Sequence, residues 1–387
     1  MTTLDYPVWL RVDHWLNVLF LTLLLRSGME ILATHPKLYG HDDSKPGTEW
    51  ARFTRKVMPR DRLYDTLDEE EDYHPVIALP GHAQLGIGRH WHFISVIGWI
   101  LLGLSYYILL FATGQWHRYW PYSFFGSVRN AYWATALSFG IIGAIIAIHW
   151  AATSWSHHSP RSVQRVLGAV TTGARLLLLR PLNSRQNYPQ SKISEQHRVN
   201  GKPPTSIGFK VMAAHNFVDW RLRVGGLVEN PVTLDLAALR SLAEPETQCV
   251  MHNCVQGWTS IAEWKGLHLG RLVELVRPLP QAKYICFLSM QDNSTDEPAS
   301  HGGGQFYEVI DLEFARKPQT LLAYEMNGVP LPIKHGAPLR LRVETQVGFK
   351  MTKWINQIEF VEDFAGIGFG TGGWREDRVF YDKDVEI

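Results

Sequence analysis

Three long apolar runs dominate the first 160 residues, and they constrain the fold more than any other feature of the chain. They are Trp15–Ala33, "WLNVLFLTLLLRSGMEILA", Phe93–Thr113, "FISVIGWILLGLSYYILLFAT", and Ala131–Trp155, "AYWATALSFGIIGAIIAIHWAATSW". A helix needs ~20 mostly apolar residues to cross the hydrocarbon core of a bilayer. The second and third runs meet this without a charge, and the first carries Arg26 and Glu30 at i, i+4 spacing, close enough to pair on one helix face. Trp116, Tyr119, Trp120 and Tyr122 stand where an interfacial aromatic belt belongs. A fourth stretch, Ser162–Leu179, contains Arg165 and Arg175 and reads as an amphipathic surface helix, with a fourth span as the alternative.

Loop charge sets the expected orientation. Lys37, Lys45, Arg52, Arg55, Lys56, Arg60 and Arg62 lie between runs one and two. Arg161, Arg165, Arg175, Arg180 and Arg185 follow run three, whereas only Arg118 and Arg129 lie between runs two and three. With three spans this places the N-terminus outside and the C-terminal half in the cytoplasm of a cell with the chain in its inner membrane. No cleavable signal peptide or twin-arginine start is visible, which agrees with that orientation.

Histidines gather at the ends of these runs. His92 opens the second and His149 nears the end of the third, so antiparallel helices bring both to one membrane depth. His14 and His117 fall at the other depth. Neutral imidazoles from facing helices suit haem iron. Interfacial histidines solvated by headgroups are the alternative, and His157 and His158 compete as partners.

The character of the chain changes at Pro181–Pro204, a polar, proline-containing stretch expected to link two domains, residues 1–180 and 205–387. Beyond it, "WRLRVGG" reads as a strand and turn with a helix starting at Asp235, and "KYICFLSM", "APLRLRVET" and "WINQIEFV" read as strands. "HLGRLVELVRP" is the clearest helix there, giving a β-rich α+β domain of 183 residues. With 38 basic and 37 acidic residues, no bulk charge favours nucleic acid. Three cysteines at irregular spacing form neither a disulfide framework nor a zinc motif. Cys249 and Cys286 read as buried and inert, whereas Cys254, in "MHNCVQGW", sits on a loop leaving a strand, where a thiolate serves as nucleophile, soft-metal ligand or simply core.

Two resemblances bear on these alternatives. "RVDHWLNVLFL", "THPKLYG…PGT" and "GRHWHF", over residues 8–113, resemble the di-haem cytochrome b subunits of membrane hydrogenases and formate dehydrogenases. That family takes haem ligands from its first, second and fourth helices, and the matching positions here are His14 and His92. A clear fourth helix with two histidines is missing, so the haem count stands open at one or two, with His149 the ligand suggested by depth.

"CVQGWTSIAEWKGLHLGRLVELV", "MNGVPLPIKHGAPLRLRV" and "VGFKMTKWINQIEF", within residues 213–361, resemble the molybdopterin-binding domain of the sulfite oxidase family, in particular its bacterial branch with the methionine-sulfoxide reductase. The resemblance implies that Cys254 binds molybdenum. It implies further that His215, Asn216 and Asp219 hold one side of the pterin, Ser289 and His335 contact it, and Arg340 with Lys350, Met351, Thr352 and Lys353 closes its phosphate end. True sulfite oxidases place arginines just after the cysteine; here Val-Gln-Gly-Trp follows, which favours a neutral or zwitterionic substrate over a dianion.

The expected protein is therefore multidomain: an N-terminal all-α transmembrane helix bundle and a C-terminal α+β, β-rich molybdopterin domain. It is expected to carry Mo-molybdopterin and haem b and to transfer oxygen atoms to or from a small sulfite-like, S-oxide or N-oxide substrate. Electrons would be exchanged with a quinone or another carrier in the surrounding lipid. The rivals are an anchored molybdoenzyme without haem, served by a soluble redox partner, and a metal-free binding module.

Overall fold

The computed structural model describes residues 6–57, 69–79, 85–116, 128–178, 186–255, 257–294 and 303–385. Tyr119, Trp120, Tyr122 and His117 lie outside the described residues. The chain divides into two compact units, one of residues 1–31 with 72–171 and the other of residues 32–71 with 172–387.

The first unit is helical. Helices α1 (Val8–Thr34) and α3 (Val128–His158) enclose the first and third apolar runs, and α2 (Leu85–Ala112) begins before the second and stops one residue short of its end. Val8–Thr34, Leu85–Ala112 and Phe139–His158 are each long and apolar enough to cross a membrane. Leu101, Leu104, Ile108 and Phe111 of α2 and Ile146 of α3 are exposed, as side chains facing acyl chains must be. Aromatic and small residues set the helix contacts: Trp91 meets Trp155 edge-on at 5.9 Å and donates to Ser156 Oγ at 2.7 Å. Arg26 gives its guanidinium to the carbonyls of Pro75 and Ala78 and to Thr153 Oγ1, at 2.8, 3.1 and 2.8 Å. These acceptors show how a charge on an apolar helix is accommodated. α4 (Pro160–Leu178) buries Val163, Leu167 and Thr171 at four-residue spacing and leaves Val166 and Val170 exposed, a one-sided helix.

The second unit is built on two five-stranded sheets. One runs β4-β3-β12-β7-β8, from Val232–Leu234, Leu222–Gly226, Ile355–Val361, Tyr284–Asp292 and Gln305–Asp311, with β12 parallel to β3 and the other pairs antiparallel. The other runs β10-β9-β6-β5, from Val329–Pro330, Thr320–Met326, Thr259–His268 and Glu246–Asn253, and β11 (Arg340–Val343) also pairs with β9. Helix α5 (Ile207–Ala214) precedes the sheets, and α6 (Leu236–Ser241), α7 (Leu269–Val276) and α8 (Trp374–Val379) pack on them. The expected strands and helix starts are present: Asp235 caps α6 by accepting from Ala238 N at 2.7 Å, and His268 caps α7. Trp220, Leu222, Val250, Trp264, Leu272, Phe287, Leu341, Ile358 and Phe360 form one continuous core. Gly266 sits at a register shift in β6, where a Cβ would stand 2.2 Å from the Leu322 carbonyl oxygen, so the β9 backbone passes only because no side chain is there.

The loop after α1 belongs to this second unit. Its short strands β1 (Lys37–Leu38) and β2 (Ala51–Arg52) pair, and Ser44 N donates to Thr259 O at 3.1 Å while Thr259 N donates to Ser44 Oγ at 2.9 Å. Arg198 donates to Ser44 O at 3.1 Å and to Tyr39 Oη. Lys37 and Glu69 form a buried ion pair in the same unit.

Candidate active site

Cys254 follows the last residue of β5, and its sulfur accepts from Asn200 Nδ2 at 3.4 Å. Beside it opens a cleft enclosing about 730 Å³ of empty space, its solvent mouth included. The walls come from separate stretches of chain: His197, Arg198 and Asn200 before α5, His252 on β5 and Trp258 beyond Cys254, Gln291 and Asn293 at the end of β7, His335 and Arg340 around the start of β11, Met351 and Lys353 before β12, and Trp374 with Arg375 on α8. Arg198, Arg340, Lys353 and Arg375 line it, and among the described lining residues there is no carboxylate. Such a cleft favours an anion such as a phosphate.

Arg340 shows the point most clearly. It is buried, stacked on Trp264 with its guanidinium 4.7 Å from the ring centroid, and it donates to His335 O at 2.9 Å. Its Nε has no hydrogen-bond partner. Burial, then the neighbouring Arg342, pushes its pKa well down, with Glu344 opposing. A buried cation in that condition is completed by an anionic occupant. Trp258 Nε1, Asn293 Nδ2 and Arg375 Nε are likewise buried donors without partners, and Asn200 Oδ1 and His197 Nε2 are buried acceptors without partners. Donors, acceptors and cations left open around one cleft fit a pterin that carries a phosphate and many hydrogen-bonding edges.

The other predicted residues fall in different places. Ser289 holds the cleft wall by donating to Lys353 O at 2.8 Å, and Lys353 donates to Asn200 O at 2.5 Å. Met351 and Lys353 line the cleft and Thr352 is buried beside them. Lys350 turns the other way, into a buried pair of carboxylates, Glu308 at 2.9 Å and Glu376. Those two acids, with burial raising both carboxyl pKa values, hold the ammonium charged against the burial that opposes it. His215 and Asp219 form an exposed pair at 3.6 Å, and Asn216, at φ 50°, is exposed beside them; none of the three lines the cleft. Cys286 is buried, its thiol pushed up to about 12 by burial and by Glu308. Cys249, buried within β5, is shifted the same way.

Sequence reasoning missed His197, Arg198 and Asn200, which lie in the stretch expected to be a linker. It also passed over His252, the penultimate residue of β5, which lines the cleft. The clue for the first group was present: two basic or aromatic-nitrogen residues and an asparagine in "HRVNG" are an odd composition for a spacer.

His197 and His335 bear on acid stability. Burial, then nearby cations, holds the imidazole of His197 down to about 3 and that of His335 to about 2. Both stay neutral in the fold yet take a proton near 6.5 once unfolded, so below pH 6.5 the unfolded chain binds more protons and stability falls as pH falls. At pH 5 each such histidine costs about 2 kcal/mol. Thermal melts of the purified chain are therefore expected to drop between pH 7 and pH 5, and the drop is expected to narrow in His197→Gln; an equal drop in both proteins contradicts the assignment.

In the helical unit, consecutive residues of α1 hold the two central histidines. Ser27 Oγ lies 3.1 Å from His92 Nδ1, and Arg26 Nη1 lies 3.4 Å from His149 Nδ1. His149 Nε2 is buried with no hydrogen-bond partner; with the Arg26 guanidinium donating to Nδ1, Nε2 carries the ring proton, so iron at Nε2 would require Arg26 to leave Nδ1. Gly28 keeps α1 flat beneath the His92 ring, whose Cε1 is 3.9 Å from where a Cβ would stand. His14 is exposed on α1.

Comparison with known proteins agrees with both halves. Residues 209–365 match the family described as oxidoreductase molybdopterin binding domain, and residues 5–133 match prokaryotic cytochrome b561. The protein-methionine-sulfoxide reductase catalytic subunit MsrP of Xanthomonas axonopodis pv. citri (strain 306) is 35% identical over 145 residues, 37% of this chain and 45% of that protein. The subunit of the same name from Burkholderia mallei (strain ATCC 23344) is 36% identical over 152 residues, 37% of this chain and 44% of the relative. The chain thus spans less than half the length of the curated relatives it matches. Among solved structures, the sulfane dehydrogenase SoxCD from Paracoccus pantotrophus aligns over 41% of this chain and 40% of its own at 21% identity, with a TM-score of 0.33. This is a membrane protein that joins a cytochrome b561 domain, with haem b, to a molybdopterin-binding oxidoreductase domain of the sulfite oxidase family, with Mo-molybdopterin, on its MsrP-like branch.

Proposed function

We propose that the chain reduces a small S-oxide or N-oxide by oxygen-atom transfer at molybdenum, with electrons drawn from a quinol through haem b. The observation that carries this reading is the cationic cleft beside Cys254, free of carboxylates among its described lining. The names of its methionine-sulfoxide reductase relatives support the direction of reaction. The likeness to cytochrome b561 supports the membrane electron donor.

When bound, molybdenum on its pterin supplies the two-electron, oxo-transfer chemistry, and the protein orients, binds and excludes side reactions. Cys254 would give the metal its protein sulfur, and the Asn200 amide, donating to that sulfur, fixes where it points. Arg340, Arg198, Lys353 and Arg375 would neutralise the phosphate end, and Ser289 ties the Lys353 backbone in place. Trp258 and Trp374 shield the cleft from bulk water. Reduction of an oxide takes two electrons and two protons and releases water; His149 with His92 would hold haem b, which would supply one-electron transfer. His14 is the further candidate for a second haem. Loop charge favours the inner membrane with the catalytic domain on the cytoplasmic side.

Detergent-purified chain from a host that makes the pterin is expected to hold one molybdenum, to show a dithionite-reduced haem b spectrum and to reduce dimethyl sulfoxide with a ubiquinol analogue. Molybdenum with haem but oxidation of sulfite in place of sulfoxide reduction would reverse the direction. Molybdenum without a haem band would overturn the membrane route.

A further inference from the structure

Behind Cys254 lies a buried row of polar side chains that the reading above does not use. Arg342 is fully buried on β11 and clasps Glu344 with Nε and Nη2, both at 2.7 Å, while Gln248 Nε2 supports Glu344 Oε1 at 3.3 Å. The remaining amine of that fork, Nη1, lies 3.0 Å from His252 Nδ1. A guanidinium only donates, so Nδ1 of His252 accepts and the ring proton sits on Nε2. His252 is therefore a neutral imidazole with one defined tautomer, fixed by a charge pair that itself reaches no cleft wall.

The free edge of that ring has a definite place. His252 is the penultimate residue of β5 and lines the cleft; Cys254 follows the strand's last residue, and its sulfur is held by Asn200, which lines the same cleft. Nε2 and Cε1 are the atoms nearest to where a Cβ on Gly348 would stand, both at 2.4 Å, and Gly348 and His252 line the same cleft. Any side chain at residue 348 would displace the imidazole, so the glycine there leaves room for the N–H edge. Among the described residues Nε2 has no hydrogen-bond acceptor.

We propose that Glu344, Arg342 and His252 form a relay that presents the His252 Nε2–H to the substrate's oxygen beside the Cys254 sulfur, and so selects a neutral oxide as the ligand. This rests on the reductase reading given above. An uncharged donor holds the polarised oxygen of an S-oxide or N-oxide without requiring a net charge on it. The absence of an arginine directly after Cys254 agrees, because "VQGW" brings no cation to that point. Arg342 and Glu344 are positioning residues in this scheme; His252 alone touches substrate.

The test uses full-length, molybdenum-loaded protein in detergent and two measurements. The first is the Kd of dimethyl sulfone by calorimetry, since its oxygens accept the same bond but are not reduced. The second is KM and kcat for dimethyl sulfoxide with reduced methyl viologen, which bypasses the haem. In His252→Phe, with molybdenum content as in wild type, Kd and KM are expected to rise about tenfold, with kcat within about threefold, as for one lost hydrogen bond. His252→Gln keeps an N–H donor and is expected to restore both to within about threefold of wild type. The double variant Arg342→Met/Glu344→Leu removes the charges together and frees the tautomer; it is expected to match His252→Phe. Unchanged sulfone binding in His252→Phe overturns the proposal. So does equal loss in the Phe and Gln variants, which would mean packing, or molybdenum loss in His252→Phe, which would mean a role in holding the cofactor. If loaded wild type binds the sulfone but reduces no oxide, the reductase reading fails, while the Kd series still decides the donor.

Discussion

Replacing Cys254 by serine is expected to lower oxygen-atom transfer by about a thousandfold, roughly 4 kcal/mol of transition-state stabilisation. Thiolate is the soft, polarisable donor that suits this class of metal, and a serine hydroxyl is a hard donor that stays protonated at neutral pH. The substitution removes little volume from a residue only 7% exposed, so the domain is expected to fold. Pterin and molybdenum are expected to remain in part, since the four cations of the cleft are untouched. The measurement is molybdenum content beside viologen-driven sulfoxide reduction. Near-normal turnover at full molybdenum would show that the sulfur is not the working ligand.

The second large effect belongs to the membrane half. His149→Ala is expected to abolish the reduced haem b band and to lower quinol-driven turnover by about a hundredfold or more, because even outer-shell partners of a metal ligand cost 10- to 100-fold when lost. Viologen-driven turnover at the molybdenum cleft is expected to stay within about twofold, since the two reactions would share only the electron supply. His92→Ala is expected to act in the same way, and His14→Ala only if a second haem is present. Retention of the band in both His149→Ala and His92→Ala would move the ligands elsewhere in the bundle.

Legibility in the sequence followed the range of the contacts involved. The apolar runs, the Asp235 cap, the amphipathic helix α7 and the strands β7 and β12 were all readable, because each depends on neighbours within a few residues. Cys254 at the end of a strand was readable for the same reason. The cleft was only half readable. Asn200 meets Cys254 across 54 positions and Lys353 meets Asn200 across 153, and no local pattern encodes either. Lys350 illustrates the converse. It stands three residues from Lys353 and looks like its partner, yet the short 3-10 turn at Gly348–Lys350 points it to Glu308 and Glu376, which come from other parts of the chain. Arg26 looked like a helix-face partner for Glu30, but its described partners include carbonyls near residue 75 and a threonine on α3, which only the folded bundle brings to it.

The loop after α1 decides a matter of parity. Residues 32–71 and 172–387 are one folded body, joined at Ser44 to Thr259 and at Tyr39 to Arg198. Two segments of one body lie on one side of a bilayer, so the chain between them must cross an even number of times. α2 and α3 supply two crossings. A third by α4 would strand the loop across the membrane from the strand that holds it. With α4 laid along the surface, for which its one-sided burial suits it, the count stays even. The order of synthesis follows as well. The ribosome releases this loop long before β6 exists, so the helices α2 and α3 must insert while the loop waits, and the late-made domain closes onto a piece of itself laid down at the start.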